Sequence, residues 1–269
     1  MLVIAEKINA TNKAVAGAIA TRNEEFLVKL AVSQAQAGAD YIDVNVGSGQ
    51  GTKQDEMAAM QWLVKLVQQN TNKPLTIDSD SADVIEAGLE VYHGEKVMVN
   101  SVTAERDRLE SVGRLVTQRK VQVVALAMGD GGIPQTAAQR LDFCKVIMEY
   151  LVKGGLDEEQ VFFDPLVLPL SVDATQGIVT LKTIEMIKAE FPKAKTVVGL
   201  SNISYGLPQR RLINRSFMLA AAYAGLDAAI VDPMDPKTMS HTKIADLITG
   251  KDPSCRTYLM AHRRGKIVD

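Results

Sequence analysis

Short apolar runs alternate along the chain with longer stretches of helical period. The runs cover residues 2–5, 41–46, 75–77, 96–99, 122–127, 161–163, 196–200 and 228–231, and are rich in Val, Ile and Leu. Continuous runs of this kind mark strands buried on both faces, as in a parallel sheet. The segments between them predict helices over 22–37, 55–69, 81–92, 105–118, 136–153, 177–191, 211–224 and 236–248. In the first helix, Phe26, Leu30 and Ser33 fall near one face and Gly38 is a C-terminal stop. In the second, Met57, Met60, Leu63, Val64 and Val67 recur at helical spacing. The helix-to-strand junctions Ala37-Gly38-Ala39-Asp40 and Ala224-Gly225-Leu226-Asp227 echo each other. No Pro/Ser-rich linker divides the chain. A doubly wound sheet in two domains shares this alternation. About eight strand–helix units at a typical length of about 250 residues favour a single (β/α)8 TIM barrel of the α/β class, one domain over 1–269.

Composition narrows the chemistry. The chain has 269 residues, 46% hydrophobic and 5% aromatic, so the core is built mainly from Ala, Val, Ile, Leu and Met. Thirty basic and 32 acidic residues leave a net charge of -2, which argues against nonspecific nucleic-acid binding. Cys144 and Cys255 form no disulfide framework, and His93, His241 and His262 lack metal-ligand spacing, so no bound metal is expected. The N-terminal apolar stretch is too short for a signal peptide, and no window reaches membrane-spanning length. The expectation is a soluble cytoplasmic protein.

In a TIM barrel, chemistry sits at the C-terminal ends of the strands. There the chain carries Glu6, Lys7 and Asn9; Asp43 and Asn45; Asp78 and Ser79; Asn100 and Ser101; Met128 and Gly129; Asp164; Ser201 and Asn202; and Asp232. This is a ring of Asp and Asn. Carboxylates accept from ring N–H and amino groups, and amides both donate and accept, which suits a flat heterocycle with a 2-amino-4-oxo pyrimidine edge. Any one of these residues alone also reads as a helix cap. Asp78, Asn100, Asp164 and Asn202 together read as a site.

Other features are less specific. Gly47-Ser48-Gly49-Gln50-Gly51 is glycine-rich but follows neither the Walker order nor GxGxxG, and reads as a mobile loop. Met128-Gly129-Asp130-Gly131-Gly132 reads as a flexible lid or partner-contact loop. Arg210, Arg211 and Arg215 open a helix against its dipole, which points either to a nearby anion or acidic segment or to a solvated surface. His262 and Gly265 half-match a cobalamin-binding D-x-H-x-x-G loop, with Met260 where Asp belongs.

Five segments in order carry a family resemblance: Asp43-Val44-Asn45-Val46-Gly47, Ile77-Asp78-Ser79, Val99-Asn100-Ser101, Asp164-Pro165-Leu166 and Gly199-Leu200-Ser201-Asn202-Ile203-Ser204. Leu212-Ile213-Asn214-Arg215 and Gly225-Leu226-Asp227-Ala228-Ala229-Ile230 follow. The set resembles the methyltetrahydrofolate:corrinoid protein methyltransferases. These belong to the pterin-binding barrel superfamily, together with dihydropteroate synthase and the folate domain of cobalamin-dependent methionine synthase. The resemblance covers nearly the whole chain. It implies that Asp78, Asn100 and Asp164 bind the pterin ring of tetrahydrofolate or 5-methyltetrahydrofolate. It also implies that Asn202 reaches N5, that Gly199 and Ser201 line the pocket and that Arg210 lies at its mouth. Asn202 and Asp164 are then the catalytic pair. The resemblance further implies that a separate corrinoid protein supplies the cobalamin-type cobalt and that the enzyme is a homodimer. Two other readings stay open: a dihydropteroate-synthase-like condensation, and a non-catalytic subunit that binds pterin or the corrinoid protein. Against the first, strand 7 ends Leu200-Ser201-Asn202-Ile203-Ser204 and strand 1 continues Glu6-Lys7-Ile8-Asn9-Ala10, neither of the synthase type.

Overall fold

The computed structural model describes residues 1–49 and 51–268. Eight strands follow in order: β1 (Leu2–Asn9), β2 (Tyr41–Asn45), β3 (Leu75–Asp78), β4 (Val97–Val102), β5 (Gln122–Leu126), β6 (Val161–Asp164), β7 (Lys195–Gly199) and β8 (Ala228–Val231). Each pairs in parallel with its sequence neighbour, and β8 pairs with β1, closing a barrel. Closure excludes the doubly wound alternative and confirms the (β/α)8 architecture.

Eleven helices are seen among the described residues: α1 (Lys13–Ala20), α2 (Glu24–Ala37), α3 (Lys53–Asn70), α4 (Ala82–Val91), α5 (Arg106–Arg108), α6 (Arg114–Arg119), α7 (Ala137–Lys153), α8 (Gln176–Glu190), α9 (Arg210–Ala224), α10 (Pro236–Ile248) and α11 (Arg256–Arg263). Strand alternation sorts the core into two layers. Ile4, Tyr41, Met98, Val124, Phe162, Val197 and Ala228 pack together inside the barrel. Val3, Val198, Ala229 and Val231 pack outward with Phe217, Met218 and Ala221 of α9. A residue two places further along an inward-facing strand position therefore reaches the mouth. Phe162 leads to Asp164, and Met98 to Asn100.

Several elements differ from the sequence reading. β1 runs on to Asn9, with a bulge between Ala5 and Ile8, so Glu6 and Lys7 belong to the strand. α1 and α11 have no counterpart among the predicted helices. The buried face of α2 is Leu27, Ala31 and Gln34, while Phe26 is 39% exposed. The predicted face was one residue out of phase. The predicted helix over 105–118 is interrupted by a π-helical turn at Leu109–Gly113. Gly129 and Gly132 pair across a tight turn, with the Gly132 N–H donating to the Gly129 carbonyl at 3.2 Å. Of the 47–51 loop, Gln50 lies outside the described residues. No helix among the described residues is long and apolar enough to cross a membrane.

Candidate functional site

Strand register assembles the first half of the site. Asn9 pairs with Asn45, Asn45 with Asp78, and Asp78 with Asn100, so four polar strand ends form one rung across β1–β4. Asn45 Nδ2 donates to Asp78 Oδ2 at 2.9 Å, and Asn45 Oδ1 accepts from the Gly47 N–H at 2.9 Å. The Asn45 amide is thereby oriented, and one oxygen of Asp78 is engaged. One layer lower, Asp43 pairs in register with Thr76 and is 2% exposed.

Burial pushes Asp43 well above the usual carboxylate range; the Asp78 and Glu6 charges add to this, and the Asn100 amide opposes it. Asp43 Oδ1 is buried without a hydrogen-bond partner among the described residues. Burial also raises Asp78, against the Asn45 hydrogen bond and the Arg108 charge. Glu6 is raised by burial and by Asp232, against Lys7 and Arg210. Neighbouring carboxyls in a low-dielectric pocket oppose one another's ionisation, so each holds its proton to higher pH than a free carboxyl does.

An arginine braces this arc. Arg108 Nε and Nη2 donate to the Ser101 carbonyl at 2.9 and 2.6 Å, and Nη2 to the Ser79 carbonyl at 2.8 Å. Its Nη1 donates to the Asp80 carbonyl. One side chain thus ties the loop after β3 to the end of β4, directly behind Asp78 and Asn100.

Asp164 ends β6, in register with Leu126. Its Oδ1 accepts the Leu166 N–H at 2.8 Å. Burial raises its pKa to about 6, against the Leu166 hydrogen bond and the Arg140 charge. At pH 7 it is mostly ionised, an acceptor with one oxygen uncommitted by the turn.

The chain leaves β7 through a 3-10 turn, Leu200–Ser204. The Asn202 amide lies over the Gly199 backbone, and a Cβ at Gly199 would come within 3.2 Å of Asn202 Nδ2. A side chain at 199 would therefore push the Asn202 amide aside by a few tenths of an ångström. Asn202 is exposed and does not cap α9, whose N-cap is Gln209. Arg210 folds back onto the turn. Its Nη2 donates to the Ser201 carbonyl at 2.9 Å and its Nε to Ser204 Oγ at 3.2 Å. A cavity of 360 Å³ over β7, β8 and β1 brings Ser201 and Arg210 together with Glu6, Lys7 and Asp232. Lys7 Nζ and Asp232 Oδ2 pair at 2.9 Å across this arc. Arg211 and Arg215 face Asp235 at 4.0 and 3.8 Å, so the acidic partner sought for the arginine cluster is in the chain itself.

The predicted residues therefore occupy the mouth in three groups: Asp78 and Asn100 on the β3–β4 arc, Asp164 at β6, and Gly199, Ser201, Asn202 and Arg210 at β7. A larger cavity of 650 Å³ lies between α2, α10 and α11, lined by Met239, Met260, Lys243 and Arg264 among others. None of the strand-end carboxylates lines it, so the mouth is the better candidate for chemistry. Asp43, Glu6 and Asn45 were visible in sequence as strand-end polar residues without being singled out as ligands. Arg108 and Arg140 were missed. For Arg140 the signal was present: it shares the buried stripe of α7 with Leu141, Cys144, Ile147, Met148 and Leu151, a charge where an apolar residue is expected.

Comparison with known proteins identifies the family. Residues 5–232 match the family described as pterin binding enzymes. The methylcorrinoid:tetrahydrofolate methyltransferase of Eubacterium limosum is 32% identical over 269 residues, covering 99% of this chain and 98% of that protein. Methionine synthase of Mycobacterium tuberculosis is 30% identical over 244 residues, 86% of this chain but 20% of that protein. Among solved structures, dihydropteroate synthases from Clostridium difficile, with pteroic acid, and Yersinia pestis superpose with TM-scores of 0.73 and 0.71. These are 20% and 16% identical, cover 92% and 93% of this chain and 96% and 94% of theirs, and share the fold. With the barrel, the polar strand ends and the family match over 5–232 in agreement, the chain belongs to the pterin-binding enzyme family.

Proposed function

We propose that this chain transfers a methyl group between N5 of 5-methyltetrahydrofolate and the cobalt of a corrinoid protein. The observation that carries the reading is the polar rung at the barrel mouth in a chain 32% identical, end to end, to a methylcorrinoid:tetrahydrofolate methyltransferase.

The residues suit each task. A pterin edge offers ring N–H and amino donors, and Asp78 and Asp164 are carboxylate acceptors on separate arcs of the mouth. Asn100 donates and accepts between them. Ser201 and Gly199 form the wall at β7, and Arg210 sits at the rim. The partner's corrinoid supplies the cobalt that accepts or releases the methyl group. On the chain's side, N5 is a poor leaving group as an anion, so it needs a hydrogen bond or proton as the C–N bond breaks. Asn202, over Gly199, is the amide donor for N5. Asp43, whose burial favours the protonated form, lies beneath the rung. Asp164, ionised at neutral pH, keeps the ring in register.

The enzyme is further proposed to act as a cytoplasmic homodimer. Val146 and Val152 of α7 and Ile178 of α8 are exposed apolar side chains available to a twofold contact.

The test is direct. Mixing the chain, 5-methyltetrahydrofolate and reduced cobalamin should give the methylcobalamin spectrum at a rate proportional to enzyme. Absence of transfer, both to free cobalamin and to corrinoid proteins, with normal tetrahydrofolate binding, would leave a binding subunit instead. Condensation of a dihydropterin pyrophosphate with p-aminobenzoate would select the synthase reading.

A further inference from the structure

Arg140 is the least expected residue in the fold. It is 0% exposed, in the first turn of α7, yet its guanidinium hydrogen-bonds to no carboxylate among the described residues. Nε donates to the Pro134 carbonyl at 3.1 Å, in the loop after β5. Nη1 donates to the Pro165 and Leu166 carbonyls at 2.9 and 2.8 Å, in the loop after β6. Nη2 donates to Gln176 Oε1 at 2.7 Å, at the start of α8. A buried cation bound only to neutral acceptors keeps its full positive field. The Leu166 carbonyl also accepts Thr180 Oγ1 at 2.9 Å.

These bonds converge on a constrained segment. Leu166 has φ 66°, a left-handed backbone unusual for a branched side chain. Its N–H is the donor to Asp164 Oδ1 at 2.8 Å. Holding the Pro165 carbonyl fixes the plane of the 165–166 peptide and therefore aims the Leu166 N–H, and that N–H orients the Asp164 carboxylate. The ionisable groups against Asp164 are Arg140 and the Cys144 thiol, both on α7. Cys144 is buried and pushed up by burial, so it stays neutral. Arg140 is left as the charge that acts on Asp164.

We propose that Arg140 is the positioning residue for Asp164: it fixes the 164–166 turn and supplies the cation that keeps the carboxylate an acceptor. This rests on Asp164 being a pterin ligand, and it predicts a specificity role. A ring edge presenting donors would be held, whereas an analogue presenting acceptors would be rejected, as long as Arg140 keeps Asp164 ionised.

The experiment reads Asp164 twice. Its carboxyl carbon is titrated by NMR in the ligand-free protein, the signal being assigned by its loss in Asp164→Asn. Tetrahydrofolate affinity is then measured at pH 7.5. In Arg140→Met the titration midpoint should rise by more than one pH unit and affinity should fall at least tenfold. Gln176→Glu provides a second variant, which neutralises the guanidinium without emptying its site. It should also raise the midpoint, and it keeps the test decisive if Arg140→Met does not fold. Reduced stability with an unmoved midpoint would reduce Arg140 to a packing role and overturn the proposal. So would a raised midpoint with unchanged affinity in a wild type that binds tetrahydrofolate. Absence of tetrahydrofolate binding by the wild type would sink the methyl-transfer reading instead, while the titration still decides whether Arg140 governs Asp164.

Discussion

Asn202 and Gly199 work as a pair. The amide stands 3.2 Å from where a Gly199 Cβ would be, so Gly199→Ala must displace it by a few tenths of an ångström. A hydrogen bond that strengthens as charge builds on N5 acts on the rate more than on binding. Asn202→Ala is expected to slow single-turnover methyl transfer by about 10²–10³, or roughly 3–4 kcal/mol, with a smaller loss of folate affinity. Gly199→Ala should give a milder defect of the same kind, rate before affinity. Rates within a few-fold of wild type for Asn202→Ala would remove the residue from the chemistry. Asp164 makes the opposite trade. Its carboxyl titrates near 6 when folded against an ordinary 3.8, so the folded state binds the proton more tightly than the unfolded one. Ionised Asp164 therefore destabilises the ligand-free fold above about pH 6, a penalty relieved as pH falls toward 4. Asp164→Asn keeps an oxygen for the Leu166 N–H and removes the charge. It should stabilise the free protein by about 1–3 kcal/mol at pH 7.5 and by almost nothing near pH 4. Urea melts at the two pH values check this.

At the scale of elements, what the sequence revealed and what it hid have separate physical causes. The strands were legible because burial on both faces leaves no polar interruption, as in Val123-Val124-Ala125 of β5. β1 was cut short at Ala5 because Glu6 and Lys7 are polar, yet a bulge turns both into the mouth. α2 was placed but misphased. Gln34 lies on its buried face, where its Oε1 accepts the Lys7 N–H at 2.9 Å, and a polar core position misleads a periodicity count. The helix over 105–118 hid a π turn, since an extra residue in a turn leaves no compositional mark. α11 was passed over because none of its residues is buried. The site shows the same division. Asp78, Asn100 and Asp164 announced themselves by ending strands, whereas Arg108 acts from a helix through main-chain carbonyls that any sequence would supply. Those carbonyls make a prediction. Arg108→Met leaves acceptors of Ser79, Asp80 and Ser101 without their donor, and should cost about 2–3 kcal/mol of stability. Hydrogen exchange should rise first in the loops after β3 and β4. Uniform exchange across the barrel would show that Arg108 is not a local brace.

Across the whole molecule, the barrel concentrates its electrostatic cost at one end. Glu6, Asp43, Asp78 and Asp164 all have raised pKa values, and burial is the largest cause in each. For every one the folded state holds its proton to higher pH than the unfolded chain does. Their shared contribution to stability is thus greatest in mild acid and declines as pH rises through each folded pKa. Ligand binding runs the other way. A pterin donor needs an ionised acceptor, and Asp164 gains its proton as pH falls through about 6. Tetrahydrofolate affinity should be flat above pH 7 and fall toward tenfold per pH unit below about 6, while the ligand-free protein becomes harder to unfold over the same interval. Calorimetric titration with tetrahydrofolate from pH 5 to 8, set beside urea melts of the free protein, measures both slopes. In Asp164→Asn the affinity should be weaker at neutral pH and should lose most of its acid-side dependence, leaving only what Asp78 contributes. Affinity and stability falling together with acid in the wild type would mean that the mouth carboxylates are stabilised as anions by the fold. The proposed division between stability and function at the strand ends would then be wrong.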